Sequence, residues 1–262
     1  MPRTIAIVNQ KGGVGKTTTS VNLAASLALS GQRVLLVDLD PQGNATMGSG
    51  IDKRALPQTV YHVLLGLATT ERARVHSENG GFDVLPANRD LAGAEIELVD
   101  LENRETRLKS ALALVAHRYD FILIDCPPSL SLLTVNGLAA ADVVVIPMQC
   151  EYYALEGLSD LVGTVRKVRQ SINPSLEIEG LLRTMFDPRS TLSQQVSDQL
   201  QQHFGAKVYD TVIPRNIRLA EAPSHGIPGV RYDETSKGAQ AYVQLAEEML
   251  ERFRQTSPAG EL

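Results

Sequence analysis

The sequence predicts an α/β protein: a doubly wound, mostly parallel sheet flanked by helices on both faces. Three observations carry this. Short apolar, β-branched runs recur along the chain, longer stretches with apolar residues at helical spacing separate them, and the runs are continuous, not alternating. A strand with one wet face alternates, whereas a strand covered on both faces reads as an unbroken apolar run.

In order, residues 4–8 (TIAIV) form the first buried strand, and 17–30 a helix with Val21, Ala24, Ala25 and Ala28 along one face. Gly31 stops that helix, and residues 33–38 (RVLLVD) form the second strand. Further strands are expected at 82–86, 120–125 (DFILID), 143–147 (VVVIP) and 178–185. Helical patterns fill 92–99, 104–117, 130–139, 154–172, 192–204 and 238–253. Neither a repeat nor a low-complexity tract interrupts the series. Pro188, Pro214, Pro223 and Pro228 punctuate loops without forming a linker. One domain over residues 1–254, followed by a frayed tail at 255–262 (QTSPAGEL), is the expected organisation.

Bulk properties narrow the function. Of the 262 residues, 43% are hydrophobic and 21% charged, which is ordinary for a globular chain able to bury its own core. Two cysteines, Cys126 and Cys150, are too few for a disulfide framework. The apolar run at 4–8 is too short for a signal peptide, and no stretch approaches ~18 consecutive apolar residues. A cytoplasmic location is the expectation. The net charge of −5 argues against coating nucleic acid by bulk attraction, so any such binding must come from a local patch.

Lys11-Gly12-Gly13-Val14-Gly15-Lys16-Thr17-Thr18 lies between the first strand and the first helix. Glycines there let backbone N–H groups turn inward around a phosphate, and the helix N-terminus adds partial positive charge. Lys16 is placed for the β- and γ-phosphates of a nucleotide, Thr17 for Mg²⁺ and Thr18 for the α-phosphate. The usual loop has glycine six residues before its lysine, where this chain has Gln10, and a second lysine, Lys11, follows.

Mg²⁺ prefers oxygen ligands and keeps several waters. Asp125, closing the apolar run FILID, is the candidate to support it through water. The second strand ends Asp38-Leu39-Asp40-Pro41; residues 38 and 40 point the same way if the strand persists that far. Asp38 reads as structural, tied to loop backbone or the metal's outer shell. Asp40, at the turn, is assigned to positioning an attacking water, with an outer-shell metal contact as a further role. Phosphoryl transfer needs mainly positioning and charge neutralisation, so one carboxylate and one metal suffice.

These blocks together resemble the deviant Walker A ATPases, specifically the ParA/Soj partition family: KGGVGKTT, VDLDPQGNAT (37–46), AGAEIELV (92–99), FILIDCPPSL (121–130), QCEYYALEGL (149–158) and VIPRNIRLAEAPSHG (212–226). The resemblance runs from residue 4 to about residue 250. It implies ATP and Mg²⁺ as cofactors and an ATP-dependent sandwich homodimer. In that dimer Lys11 would reach the partner subunit's nucleotide, and Gly12 would lie at the interface. It also implies adenine contacts from Pro214 and Asn216, and non-specific double-stranded DNA bound by Arg189 and Arg218, with Arg183, Arg215 and Lys237 extending the patch. A ParB-type centromere-binding protein would stimulate slow hydrolysis, and the protein would be nucleoid-associated. On residues alone, 212–226 is only a polar, proline-bounded loop. The short start before the first strand fits the chromosomal-type subgroup of the family.

Three other readings compete. A MinD-like membrane-switching ATPase would use a basic amphipathic C-terminal helix. Here Tyr242, Leu245, Ala246, Met249, Leu250 and Phe253 make an apolar stripe, but Glu247, Glu248 and Glu251 outnumber Arg252 and Arg254, which disfavours anionic lipid. Packing on the core is expected instead. A nitrogenase-iron-protein relative would need cluster cysteines, and no CxxC occurs. A dethiobiotin-synthetase-like ligase would need a second substrate pocket, for which no residues stand out. Tyr152, Tyr153 and Glu156 are expected to serve helix packing or a dimer contact.

Overall fold

The computed structural model describes residues 2–256. Eight strands form one sheet: β1 Arg3–Ile7, β2 Val34–Asp38, β3 Val75–Ser77, β4 Phe82–Leu85, β5 Phe121–Asp125, β6 Val143–Gln149, β7 Glu177–Phe186 and β8 Val208–Pro214. Their order across the sheet is β3-β4-β2-β5-β1-β6-β7-β8, parallel throughout except for β3, which runs antiparallel to β4. The expected doubly wound α/β architecture is therefore present.

Continuous burial explains the unbroken apolar runs. Ile5 and Ile7 of β1 enter one core with Leu36, Leu123 and Val145 of neighbouring strands, while Ala6 and Val8 enter the opposite core with Leu35, Ile124 and Ile146. On the first side the Lys16–Leu29 helix supplies Leu23 and Leu27, and the Lys237–Thr256 helix supplies Tyr242, Leu245, Met249 and Phe253. The apolar stripe of the last helix thus faces the core. On the other side the helices Leu132–Ala140, Ala154–Ser171 and Thr191–Phe204 contribute Leu138, Leu161, Val165 and Leu200. Among the described residues no helix is long and apolar enough to cross a membrane.

Two strands differ from expectation, and both lie at edges. β3 has only three residues, too short for a periodicity signal. β8 (VYDTVIP) carries a charge and a closing proline, features that edges tolerate and central strands do not. Its exposed side is not left open, because Glu248 of the last helix accepts from the Asp210 and Thr211 amides at 2.9 Å each. Residues 212–226 are consequently no loop. They hold the end of β8, a short helix Ile217–Glu221 capped by the Asn216 side chain, and a 3₁₀ turn. Gln255 and Thr256, expected in a frayed tail, continue the last helix, and residues 257–262 of that expected tail lie outside the described residues.

Gly180 marks a close approach in β7, where pairing with β6 shifts register. The fully buried Tyr209 ring of β8 lies over it, so a Cβ at Gly180 would fall 2.4 Å from the ring edge. Gly180→Ala should lower stability by about 1–3 kcal/mol, the usual range for overpacking a filled core. Urea unfolding of the variant measures this, and an unchanged midpoint would mean that the ring yields freely.

Candidate nucleotide site

In an open parallel sheet, ligands bind beyond the carboxyl ends of strands whose connections leave in opposite directions. Here these are adjacent β1 and β5: β1 connects toward β2 on one side and β5 toward β6 on the other. The register aligns Ile7, Asp125 and Asp38 at that edge. The chain from Val8 to Gly15 forms the loop above it.

The loop is held from several directions. Asn9 donates to the Pro147 carbonyl at 2.8 Å and accepts from the Lys11 amide at 2.9 Å, fixing the loop's start against β6. The Thr184 hydroxyl of β7 donates to the Val14 carbonyl at 2.8 Å, fixing its far side. Gly13 and Gly15 sit at φ of 75° and 88°, a left-handed backbone that a side chain would strain. Gly15 caps the Lys16–Leu29 helix, whose first turn carries no carboxylate and no side-chain cap, so its N–H groups remain available to an anion.

Behind the loop, Asp125 is 1% exposed and held by two hydroxyls of that helix, Thr17 at 2.8 Å and Ser20 at 2.7 Å. Burial pushes its pKa up, helped by the neighbouring Asp38 charge and opposed by the Ser20 and Thr17 hydroxyls. Asp38 is fully buried and likewise raised by burial, against hydrogen bonds from Thr46 and the Asp40 amide. Burial pulls the Lys16 ammonium below its ordinary value while Asp125 and Asp40 counteract this, and its Nζ reaches back to the Lys11 carbonyl at 3.2 Å. The carboxylates of Asp125 and Asp40 act on Lys16, and both offer the oxygen ligands that Mg²⁺ prefers.

Strand β2 ends at Asp38, so Asp38 and Asp40 do not alternate along a strand. Asp38 turns inward and accepts from the Thr46 amide at 2.8 Å, the Thr46 hydroxyl at 2.7 Å and the Asp40 amide at 3.1 Å. Asp40 occupies the turn, half-buried, with one oxygen accepting from the Gln42 amide at 2.9 Å. The Thr46 oxygen also accepts from the Ala87 amide at 2.9 Å, so the turn is tied to the segment after β4.

Lys11 is half exposed and forms an ion pair with Glu151, which gives the QCEYYALEGL block one visible contact. Tyr152 and Tyr153 are 76% and 71% exposed, so packing within the chain does not account for them. Thr18 lies in the helix's first turn, its carbonyl accepting from Asn22. Gly12 has nothing within 4 Å of where its Cβ would be. Asn216 spends its side-chain oxygen on the Leu219 amide, leaving its NH₂ group as the outward donor, next to Pro214 at the end of β8.

Arg189 is highly exposed and paired with Asp187, and Arg218, half exposed, is paired with Glu221 and Asp233. Exposed pairs of this kind are worth about 0–1 kcal/mol, so a phosphate can replace the carboxylates at little cost. Arg215 and Lys237 are exposed, but Arg183 is not. Its guanidinium is buried against the Ser197 hydroxyl and the Tyr209 and Asp210 carbonyls, which removes it from any surface patch. Cys126 and Cys150 are buried, with both thiols pushed up by burial, Cys150 to about 11.

Sequence reasoning missed Asn9, Ser20, Thr46, Glu151 and Thr184. Only Ser20 had a local signal, lying three residues after Thr17 on the same helix face. The others make contacts across sequence separations of 41 to 170 residues, from Thr46 with the Ala87 amide to Thr184 with the Val14 carbonyl.

Comparison with known proteins places this site in a lineage. A family profile described as "AAA domain" matches residues 2–178. The chain is 58% identical to the sporulation initiation inhibitor protein Soj of Bacillus subtilis, over 95% of this chain and 98% of that one. It is 52% identical to the chromosome partitioning protein ParA of Caulobacter vibrioides, over 96% and 95% of the two chains. A crystal structure of cobyrinic acid a,c-diamide synthase from Mycobacterium smegmatis with bound ADP and magnesium superposes with a TM-score of 0.87 at 41% identity, covering 98% of this chain and 97% of that chain. The loop between β1 and its helix, the buried aspartate behind it and identities above one half across almost the whole length agree: the chain belongs to the ParA/Soj family of chromosome-partitioning ATPases.

Proposed function

We propose that this ATPase binds Mg²⁺ and ATP at the carboxyl ends of β1 and β5, pairs with a second copy when ATP is bound, and in that state holds double-stranded DNA without regard to sequence. A ParB-type centromere-binding protein then accelerates a slow hydrolysis that releases it. The observation that carries the reading is the buried Asp125 hydrogen-bonded to Thr17 in the first turn of a helix whose N-terminus is free of acidic residues.

Each residue has a task that the geometry allows. Amides of residues 12–17 surround the phosphates, and Lys16 neutralises charge on the β- and γ-phosphoryl oxygens. Thr17 and Asp125 would hold Mg²⁺, Thr17 through its hydroxyl and Asp125 as the supporting carboxylate behind it, in keeping with the all-oxygen donor set. Mg²⁺ contributes charge neutralisation as phosphoryl transfer proceeds. Thr18 lies one residue further on, for the α-phosphate, and Pro214 with the free amide of Asn216 lies toward the base. Asp40 orients the attacking water and takes up its proton, held in place by its backbone link to Asp38. Lys11 exchanges Glu151 for the nucleotide of the partner subunit.

Pairing through this face accounts for two otherwise unexplained features. Among the described residues nothing lies within 4 Å of a Cβ at Gly12 and its backbone is not left-handed, so a partner backbone has room to approach it. The exposed Tyr152 and Tyr153, beside the Lys11–Glu151 pair, supply apolar area for such a contact.

Nucleotide binding, turnover and DNA binding test the proposal. Lys16→Ala should abolish binding of a fluorescent ATP analogue, since it removes the main charge facing the phosphates. Asp40→Ala should retain ATP and form a long-lived DNA-bound dimer without turnover; Thr46→Val, which strips the buried Asp38 of its hydroxyl donor, should lower kcat with little change in KM and be rescued by Thr46→Ser. Wild-type turnover by Asp40→Ala would reassign the water-positioning role. For DNA, a protomer presents few arginines and a dimer twice as many on one body, and log affinity falls by ~0.9 per phosphate neutralised for each decade of salt. The salt slope should therefore roughly double with ATP relative to a monomeric state, and Arg189→Glu or Arg218→Glu should abolish DNA binding while preserving dimerisation. Equal DNA binding in ADP and ATP would overturn the switch.

A further inference from the structure

The block AGAEIELV forms the helix Leu91–Glu97 and the 3₁₀ turn Leu98–Asp100, and packing accounts for only half of it. Leu91, Ala94 and Leu98 are fully buried in the core on that side of the sheet. Ala92, Ile96 and Val99 line the opposite face at helical spacing, and Ile96 and Val99 are 77% and 52% exposed. Isolated exposed aliphatics need no explanation, but an ordered stripe of them on a rigid helix marks a contact surface.

Charge identifies what fits there. Residues 89–105 contain six carboxylates and two arginines, in RDLAGAEIELVDLENRE. Glu95 and Glu97 flank Ile96 on either side of the stripe, and Asp100 and Glu102 continue the acidic border past Val99. None of these four forms an ion pair among the described residues; Glu97 accepts only from the Tyr61 hydroxyl, and Arg104 is engaged with Glu105 and the Val99 carbonyl. An apolar stripe between unpaired carboxylates repels DNA and anionic lipid alike, and complements a segment with apolar residues on one side and Lys or Arg on the other.

The same helix is wired to the hydrolytic turn. The segment leading into it passes through Ala87, whose amide donates to the Thr46 oxygen at 2.9 Å. Gly43 approaches the Ala87 carbonyl so closely that a Cβ on it would lie 2.7 Å away. Thr46 in turn holds Asp38, and Asp38 holds the amide of Asp40. A continuous chain of contacts thus joins the segment before the Leu91–Glu97 helix to the carboxylate assigned to the attacking water.

We infer that the face formed by Ala92, Ile96 and Val99 with its acidic border is the docking surface for a basic amphipathic segment of the protein that stimulates hydrolysis. The inference rests on the proposed function, in which a ParB-type partner performs that stimulation.

The test titrates the ParB-type protein into the full-length ATPase with ATP and DNA, following turnover and hydrogen exchange. Variants are Ile96→Lys with Val99→Lys, which breaks the stripe, and Glu95→Arg with Asp100→Arg, which reverses its border. Ile96, Val99 and Asp100 are exposed and Glu95 is half-buried without an ion pair, so thermal stability, basal turnover, ATP-dependent dimerisation and DNA binding should stay as in wild type. The partner concentration needed for half-stimulation should rise roughly tenfold or more in both variants, as for loss of a central contact. In wild type the partner should protect residues 91–102 from exchange. Normal stimulation of both variants, or no protection of 91–102 while the wild type is stimulated, overturns the inference and leaves the partition reading intact. Loss of dimerisation with unchanged stimulation per dimer would make this face a self-contact and equally overturn it. A partner that fails to stimulate even wild type would overturn both readings.

Discussion

Asp125 is the point on which the site depends. It closes a central strand, is almost fully buried, and is held by hydroxyls from two successive turns of one helix. A carboxylate in that position is expensive unless paired, and two neutral donors compensate it only in part, which is why its affinity for protons is raised. The same two contacts set the distance between the first helix and the sheet edge, and with it the shape of the loop that joins them. Cation binding and loop geometry therefore share a single cause. The second buried carboxylate, Asp38, deepens the excess of negative potential and transfers it to the turn carrying Asp40.

How much of this was legible in the sequence follows from how local each cause is. Central strands β1, β2, β5 and β6 are apolar on both faces, so composition alone revealed them, and the phosphate loop announced itself through glycines and lysine at fixed spacing. β8 escaped because an edge strand obeys a different rule: it carries polar residues, ends in proline, and is completed by Glu248 some 37 residues away. Asp38 and Asp40 would share a strand face only if the strand ran on to residue 40; it ends at Asp38, whose side chain is taken up by the amide and hydroxyl of Thr46. Thr184, Asn9 and Glu151 hold the loop through contacts that no spacing rule encodes. Resemblance supplied the block in which Glu151 lies, without saying what it touches.

The two sides of the sheet divide the labour. One side, covered by the first and last helices, is a conventional apolar core, and it absorbs the stripe that might otherwise have met lipid. The other side carries the Leu91–Glu97 helix after β4, whose exposed surface is acidic around Ile96, while the exposed arginines Arg189 and Arg218 follow β7 and β8. Charges of opposite sign are thus separated on the surface of a chain whose net charge is −5.

Arg183 has a quieter consequence. Its guanidinium is enclosed by a hydroxyl and two carbonyls, one residue before the threonine that secures the phosphate loop. Mobile counterions do not reach a charge in that position, and none is released when a polyanion arrives. It therefore adds a constant background to the field inside the molecule, invisible to any thermodynamic count of ions exchanged with solvent, while the arginines outside are the ones such a count can register.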